Sequence, residues 1–388
     1  MGSAAHSVGE GSRFHKRVTT APNKRGREIK GSKRIRRARA VLVAWCEGNL
    51  VFINYQTLVS ASAEPEAVRI LHLLEDWTYP SDLFSLLPEY SPKSIRAGIR
   101  QLLENTFLVI EGTPAAHRDA DLASVWSDWL PHGSFHFATK DVEFLQPSQS
   151  ARLFKRYLAE SRQPPLLKNY GQASHIQLPR ERPADSEFAR VLFARKTHRE
   201  YSRKPIPLPV ISKLLYYTWG VTGTIDAPPF GQLFHKTSPS GGARHPGEVY
   251  LLAMRVDGLS QGLYHYDGVH HRLSRLRSLK AAKKAVQYAA GQEFVQNASA
   301  LFVMTAVFPR VLWKYRFARA YRIVLLDAGH LCQTFCLVAT WLGLAPFCTA
   351  AFEDTLIEKD LGLDGIRESA LYLAGVGTPA AGKLRNSR

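Results

Sequence analysis

Thr237-Ser-Pro-Ser-Gly-Gly-Ala-Arg-His-Pro-Gly-Glu-Val-Tyr250 begins as a loop of small residues and ends as the start of a strand. Its two glycines permit unusual backbone angles and let the chain lie against a flat ligand; an ordinary tight turn uses them in the same way. No Gly-Lys-Ser/Thr follows, so this is not a P-loop, and no Gly-x-Gly-x-x-Gly supports a dinucleotide site. Downstream, Gly262-Leu-Tyr-His-Tyr-Asp-Gly268 reads as a second strand entering an Asp-Gly hairpin turn, with Leu273 on the returning strand.

Working outward, residues 186–195 and 209–219 read as helices, the second with Val210, Leu214 and Leu215 inward. Residues 249–255 and 300–307 read as strands, 319–342 as a long helix and 370–376 as a last strand, an α+β pattern. The longest apolar run, 323–344, contains Asp327, His330 and Gln333, which points to a core helix rather than a membrane span.

Two basic stretches flank this region. Arg195-Lys-Thr-His-Arg199 offers two guanidinium forks, the Lys196 ammonium and the Thr197 hydroxyl, a set suited to a phosphate monoester. Basic residues at a helix end also complement the helix dipole. Trp313-Lys-Tyr-Arg316 follows the buried strand 300–307 and puts ionisable groups at its mouth, where Lys314 and Tyr315 can serve acid–base chemistry or stand as a solvated turn. Glu353 and Asp354 are adjacent and point apart, His270-His271 lacks a ligand cluster, and no Gly-x-Ser-x-Gly elbow is present.

Apolar residues make up 45% of the 388, enough for a sizeable core. The net charge of +18 suggests nucleic acid until its distribution is read. Residues 1–40 hold twelve Lys/Arg against two acids, leaving +8 for the remaining 348. The segment 1–39 is poor in apolar residues and reads as a disordered basic tail without the apolar core of a secretory signal. The four cysteines show no disulfide spacing; Cys332 and Cys336 sit in an apolar helical run and read as packing rather than metal ligands, consistent with a cytoplasmic protein.

Residues 40–114 give short strands at 41–43 and 50–53, helices at 64–77, 81–87 and from Ser91-Pro92, and a strand at 107–110, an order like that of a winged helix. Such a domain binds DNA through its third helix or an extended peptide through a sheet edge, or serves packing alone. Residues 115–185, with Trp126, Trp129, Phe135, His136 and Phe137 followed by proline-rich stretches, read as a linker with some helix, wrapping the next domain.

Taken together, Arg-x-Thr-x-Arg, Pro-Ser-Gly-Gly, Gly-Leu-Tyr-His-Tyr-Asp, Trp-Lys-Tyr, Asp-Ala-Gly-His and Gly-Val-Gly occur in an order that resembles the SagB-type dehydrogenases of the FMN-dependent nitroreductase-like superfamily. The resemblance is strongest over 186–378 and implies a nitroreductase-like α+β fold, a mixed sheet flanked by helices, for a domain spanning 186–388. It implies FMN and a homodimer with the flavin between subunits. It also implies oxidation of thiazoline or oxazoline rings on a modified precursor peptide, alongside a cyclodehydratase partner, with no membrane or specific nucleic-acid role.

Carried over by resemblance, Arg195, Lys196, Thr197 and Arg199 hold the flavin phosphate and ribityl chain. Pro239, Ser240, Gly241 and Gly242 lie under the ring, Ala350 and Ala351 approach it, and Lys383 and Arg385 close the phosphate site. Lys314 and Tyr315 match a Lys-Tyr pair implicated in azoline oxidation. The family's Ala-Leu-Tyr-Pro is here Ala243-Arg-His-Pro246, which adds Arg244 and His245 to the substrate pocket. The alternatives are an NAD(P)H-dependent nitro or quinone reductase and a DNA-binding regulator.

Overall fold

The computed structural model describes residues 33–142, 144, 147–160, 165, 176–178 and 185–380. They divide into two compact units: residues up to 140 with 312–321, and 141–311 with the remainder from 322.

In the first unit, β1 (Ile35–Arg37) is followed by a meander of β2 (Val41–Cys46), β3 (Asn49–Asn54) and β4 (Val59–Ser62), with Glu47 and Gly48 turning at positive φ. Helices α1 (Pro65–Leu73), α2 (Leu83–Leu86) and α3 (Pro92–Glu104) then lead to β5 (Leu108–Ile110). Pro92 occupies the first turn of α3, where its missing N–H costs nothing, and the Ser94 N–H donates to Ser91 Oγ at 3.1 Å. Leu71, Ile95, Ile99 and Leu102 from these helices pack with Phe52 and Phe107 in one core.

Two expectations for this unit change. β1 lies inside the segment assigned to a disordered tail, yet it pairs antiparallel with β5, and Ile35 is fully buried. Arg36 adds an ion pair with Asp119 at 2.5 Å, so the strand is held by a core residue and a buried charge pair together. The rest of the tail, residues 1–32, lies outside the described residues.

The start of the expected linker is also folded. Thr113 caps α4 (Pro114–Trp126), and α5 (Leu130–Ala138) follows. Trp126 and Trp129 are buried and meet edge to face at 5.7 Å; Trp126 stacks on His136 at 5.1 Å. His136 Nδ1 and Tyr321 Oη are 2.9 Å apart, and complete burial lowers the histidine pKa to about 3, so the ring is neutral. Aromatic residues bury large areas, and here they make a core instead of a wrapping strap. Phe135 stays exposed.

The second unit contains α6 (Pro147–Glu160), α7 (Glu187–Ala194), β6 (Tyr201–Ser202), β7 (Ile206–Pro207) and α8 (Leu208–Trp219). A small hairpin of β8 (Gly223–Asp226) and β9 (Gln232–His235) precedes β10 (Gly247–Ala253), β11 (Val256–Asp257), β12 (Gly262–Asp267) and β13 (Arg272–Arg277). Then come α9 (Ala281–Tyr288), β14 (Ala300–Val307), α10 (Phe308–Leu312), α11 (Tyr321–Trp341), β15 (Ala345–Thr349), α12 (Asp354–Leu361) and β16 (Glu368–Pro379).

The main sheet runs β13-β12-β10-β14-β16-β15, and β6 pairs with the end of β16. Every pairing in it is antiparallel, so the mixed sheet expected from resemblance reduces to one short parallel pair, β7 with β11. Parallel neighbours need a crossover of a dozen or more residues, whereas only four residues join β12 to β13.

The sheet is covered on both faces. Val249, Leu251 and Ala253 of β10 pack with α8 and α11, while Tyr250 and Leu252 pack with α9 and α12. That is the two-residue strand period, and double coverage makes 249–253 of β10 read as an unbroken apolar run. Residues 318–341 are long and apolar enough to cross a membrane by length and composition. Leu331, Cys332, Phe335, Cys336 and Ala339 of α11 nevertheless belong to the core cluster on the sheet.

Candidate functional site

The small-residue loop sits on α11 through a buried carboxylate. Ser240 Oγ donates to Asp327 Oδ2 at 2.5 Å, and the Gly241 N–H donates to Asp327 Oδ1 at 3.3 Å. The His245 N–H returns to Ser240 Oγ at 2.9 Å, and the Ser238 and Thr334 hydroxyls lie 2.7 Å apart. Burial raises the Asp327 pKa, opposed by the two bonds from the loop. A Cβ on Gly241 would collide with the Ile323 side chain, so helix packing, not only a ligand, requires glycine there. Gly242, Ala243 and His245 all have positive φ, and non-glycine residues held there concentrate strain of the kind found at functional sites.

The Arg195 stretch joins the same framework from the other side. Arg195 ends α7, and the His198 N–H donates to the Pro346 carbonyl of β15 at 2.9 Å. Arg199 lies over the Phe294 ring at 5.9 Å. Lys196 and Thr197 between them are exposed. Ala350 and Ala351 leave β15 in a turn fixed by Thr349 Oγ1, which accepts from the Ala351 N–H at 3.0 Å; Gln292 Nε2 reaches the Ala351 carbonyl at 3.0 Å. Arg195–Arg199 and Ala350–Ala351 are therefore both tied to β15, and the Pro239–Gly242 loop to α11, which precedes β15 in the chain. Lys383 and Arg385 lie outside the described residues.

A cavity of about 480 Å³ opens beside the loop. Arg244 and His245 line it, together with Lys236, Glu248, His265 and Arg310, which the sequence reading did not single out. Glu248 is the hub: His265 Nε2 lies 2.8 Å from one oxygen and Arg310 Nη1 2.5 Å from the other. Burial pushes the Glu248 carboxyl up, but His265 and Arg310 outweigh it and hold the pKa below its usual value. The same bond raises His265. Burial lowers Lys236 and His245. The available signal was a charged residue inside each apolar strand, since such residues are paired when buried. Tyr250 opposes His265 in register, so Glu248, two residues earlier on the same face, is its diagonal neighbour.

Glu248→Ala should therefore cost about 2 kcal/mol, between the roughly 0–1 of exposed pairs and 3–5 of fully buried ones, because Arg310 is partly exposed. His265, with a raised pKa, contributes stability that is lost as pH rises through that value. Glu248, with a depressed pKa, contributes stability lost as pH falls through its own. The deficit should peak near about pH 5–6 and narrow on both sides in denaturant titrations; a pH-independent deficit would show the ion pair does not matter.

Lys314 and Tyr315 fall in the first unit. Lys314 Nζ lies 5.5 Å from the Tyr315 ring centre, and Trp129 Nε1 donates to the Tyr315 carbonyl at 3.3 Å. Both side chains are half-buried.

Residues 192–378 match the nitroreductase family. "Trifolitoxin-processing protein TfxB" of Rhizobium leguminosarum bv. trifolii is 26% identical over 308 residues, 75% of this chain and 81% of that protein. "Putative nitroreductase MJ1384" of Methanocaldococcus jannaschii is 32% identical over 207 residues, 53% of this chain and 98% of that protein. "Microcin B17-processing protein McbC" of Escherichia coli is 30% identical over 131 residues, 32% of this chain and 48% of that protein. With the α+β fold and these matches, the chain belongs to the nitroreductase family of flavin-binding oxidoreductases.

Proposed function

We propose that this protein binds FMN and oxidises thiazoline or oxazoline rings in a modified precursor peptide to the azoles. The observation that carries the reading is the extent of likeness. The trifolitoxin-processing relative matches 308 residues, well beyond the family match of 192–378, whereas the small nitroreductase matches 207. Sequence outside the flavin domain is thus shared with a processing protein.

The donor set suits a flavin phosphate. Arg195 and Arg199 have no carboxylate partner among the described residues, and Thr197 adds an exposed hydroxyl. FMN supplies the two-electron redox chemistry when bound. The chain holds it through Arg195, Thr197, Arg199 and the Pro239–Gly242 loop, while Lys314 or Tyr315 takes the proton from the ring carbon and Arg244 and His245 contact the substrate. Among the described residues β2 pairs on one side only, and with Val43 and Trp45 exposed it offers a strand edge for peptide pairing. Leu325 and Leu326 leave exposed apolar surface on α11 for a homodimer, which a monomeric flavin-loaded protein in solution would exclude.

Incubating the enzyme with azoline-bearing precursor should remove the mass of two hydrogens per ring, read by mass spectrometry. A folded variant lacking residues 1–112 should process the full precursor poorly. No mass loss, combined with rapid flavin reduction by NAD(P)H, would favour the small-molecule reductase suggested by the archaeal relative.

A further inference from the structure

Cys332 and Cys336 lie one turn apart on α11 and share a face. The sequence reads them as packing. The fold adds Cys348 from β15, and the three sulfurs lie within 4.8 Å of one another. Cys332 and Cys336 are buried, and Cys348 is half-buried.

The surroundings are not those of inert core thiols. Tyr372 Oη donates to Cys348 Sγ at 3.4 Å. Cys348 thus has a hydroxyl donor beside its sulfur, in addition to the two neighbouring thiols. Arg195 places a positive charge near Cys336 and Cys348. A cation from α7 and a hydroxyl from β16 therefore flank a sulfur cluster built from two other elements.

We propose that Cys332, Cys336 and Cys348 form a three-thiolate site for one soft d10 metal ion, Cu(I) or Zn(II). Thiolate sulfur selects these ions over hard cations. Metal–sulfur bonds of about 2.3 Å set three sulfurs about 4 Å apart around the ion. The present spacing, with all three sulfurs within 4.8 Å of one another, is close to that. Binding releases the thiol protons, and Arg195 offsets part of the remaining negative charge. The three thiolates take no part in the peptide-oxidising reading, which shares only Arg195 with this site.

The test uses the full-length, reduced protein under anaerobic conditions. Cu(I) is offered from bathocuproine disulfonate and Zn(II) from a pyridylazo chelator, and withdrawal of metal is read optically. One equivalent should leave one of the two chelators. Cys348→Ser and Cys336→Ser should each weaken binding by more than the roughly 10–100-fold expected for loss of an outer partner, and Tyr372→Phe by about that range. Cys46→Ser, in the first unit, should change nothing. X-ray absorption of the wild-type complex should show a sulfur shell near about 2.3 Å, and this readout stands even if the cysteine variants fail to fold. No stoichiometric uptake from either chelator, a nitrogen–oxygen shell, or uptake that survives the cysteine substitutions would overturn the proposal.

Discussion

Lys314→Ala and Tyr315→Phe are expected to lose about 10²- to 10⁴-fold in turnover while the purified proteins stay yellow, because a positioned acid–base group contributes that much and neither residue is assigned to the flavin. Tyr315→Phe removes one oxygen and leaves the ring that Lys314 Nζ approaches at 5.5 Å. The Tyr315 carbonyl also keeps its bond from Trp129 Nε1, because that bond is made by the main chain. A large rate loss in this variant therefore reports the hydroxyl and not a collapsed segment. The measurement is anaerobic single-turnover flavin reduction by an azoline peptide, which isolates ring oxidation from reoxidation. If the two residues serve one proton transfer, the double variant should be little slower than the worse single one. Near-wild-type reduction by both single variants would remove the pair from the chemistry.

Arg199→Ala should weaken flavin retention by about 1.5–3 kcal/mol, the range of a hydrogen bond to a charged group, or roughly tenfold to somewhat over a hundredfold in dissociation constant. The side chain is exposed and lies over Phe294, so its loss removes little packing. The His198 N–H to Pro346 bond is made by the main chain and keeps the stretch on β15. Arg199→Lys separates fork from charge: a monoester held bidentately should discriminate against the lysine, whereas simple charge attraction should not. Flavin content after gel filtration and fluorescence titration of the apoprotein give the answer. Full retention by Arg199→Ala would place the phosphate elsewhere.

The sequence alone determined a good deal of this protein. The helices at 187–194, 208–219 and 321–341 and the strands 247–253, 262–267, 300–307 and 368–379 follow from period, capping and turn chemistry, which are local properties. The Arg195–Arg199, Pro239–Gly242 and Ala350–Ala351 motifs were legible because their residues are contiguous. Other features needed the folded chain. Residues 115–138 of the apparent linker became a core because Trp126, Trp129 and Tyr321 meet only after the chain returns from 312–321. Ile35–Arg37 became a strand because Leu108–Ile110, more than seventy positions later, supplies its hydrogen bonds. The Glu248–His265–Arg310 network joins three elements, and each member alone resembles an ordinary strand or short-helix residue. Cys348 joins Cys332 and Cys336 only when β15 lies beside α11. Local pattern fixes an element because nearest neighbours set backbone preference. Charge pairs, shared cavities and sulfur clusters depend on distances between residues far apart in the chain, and only packing sets those.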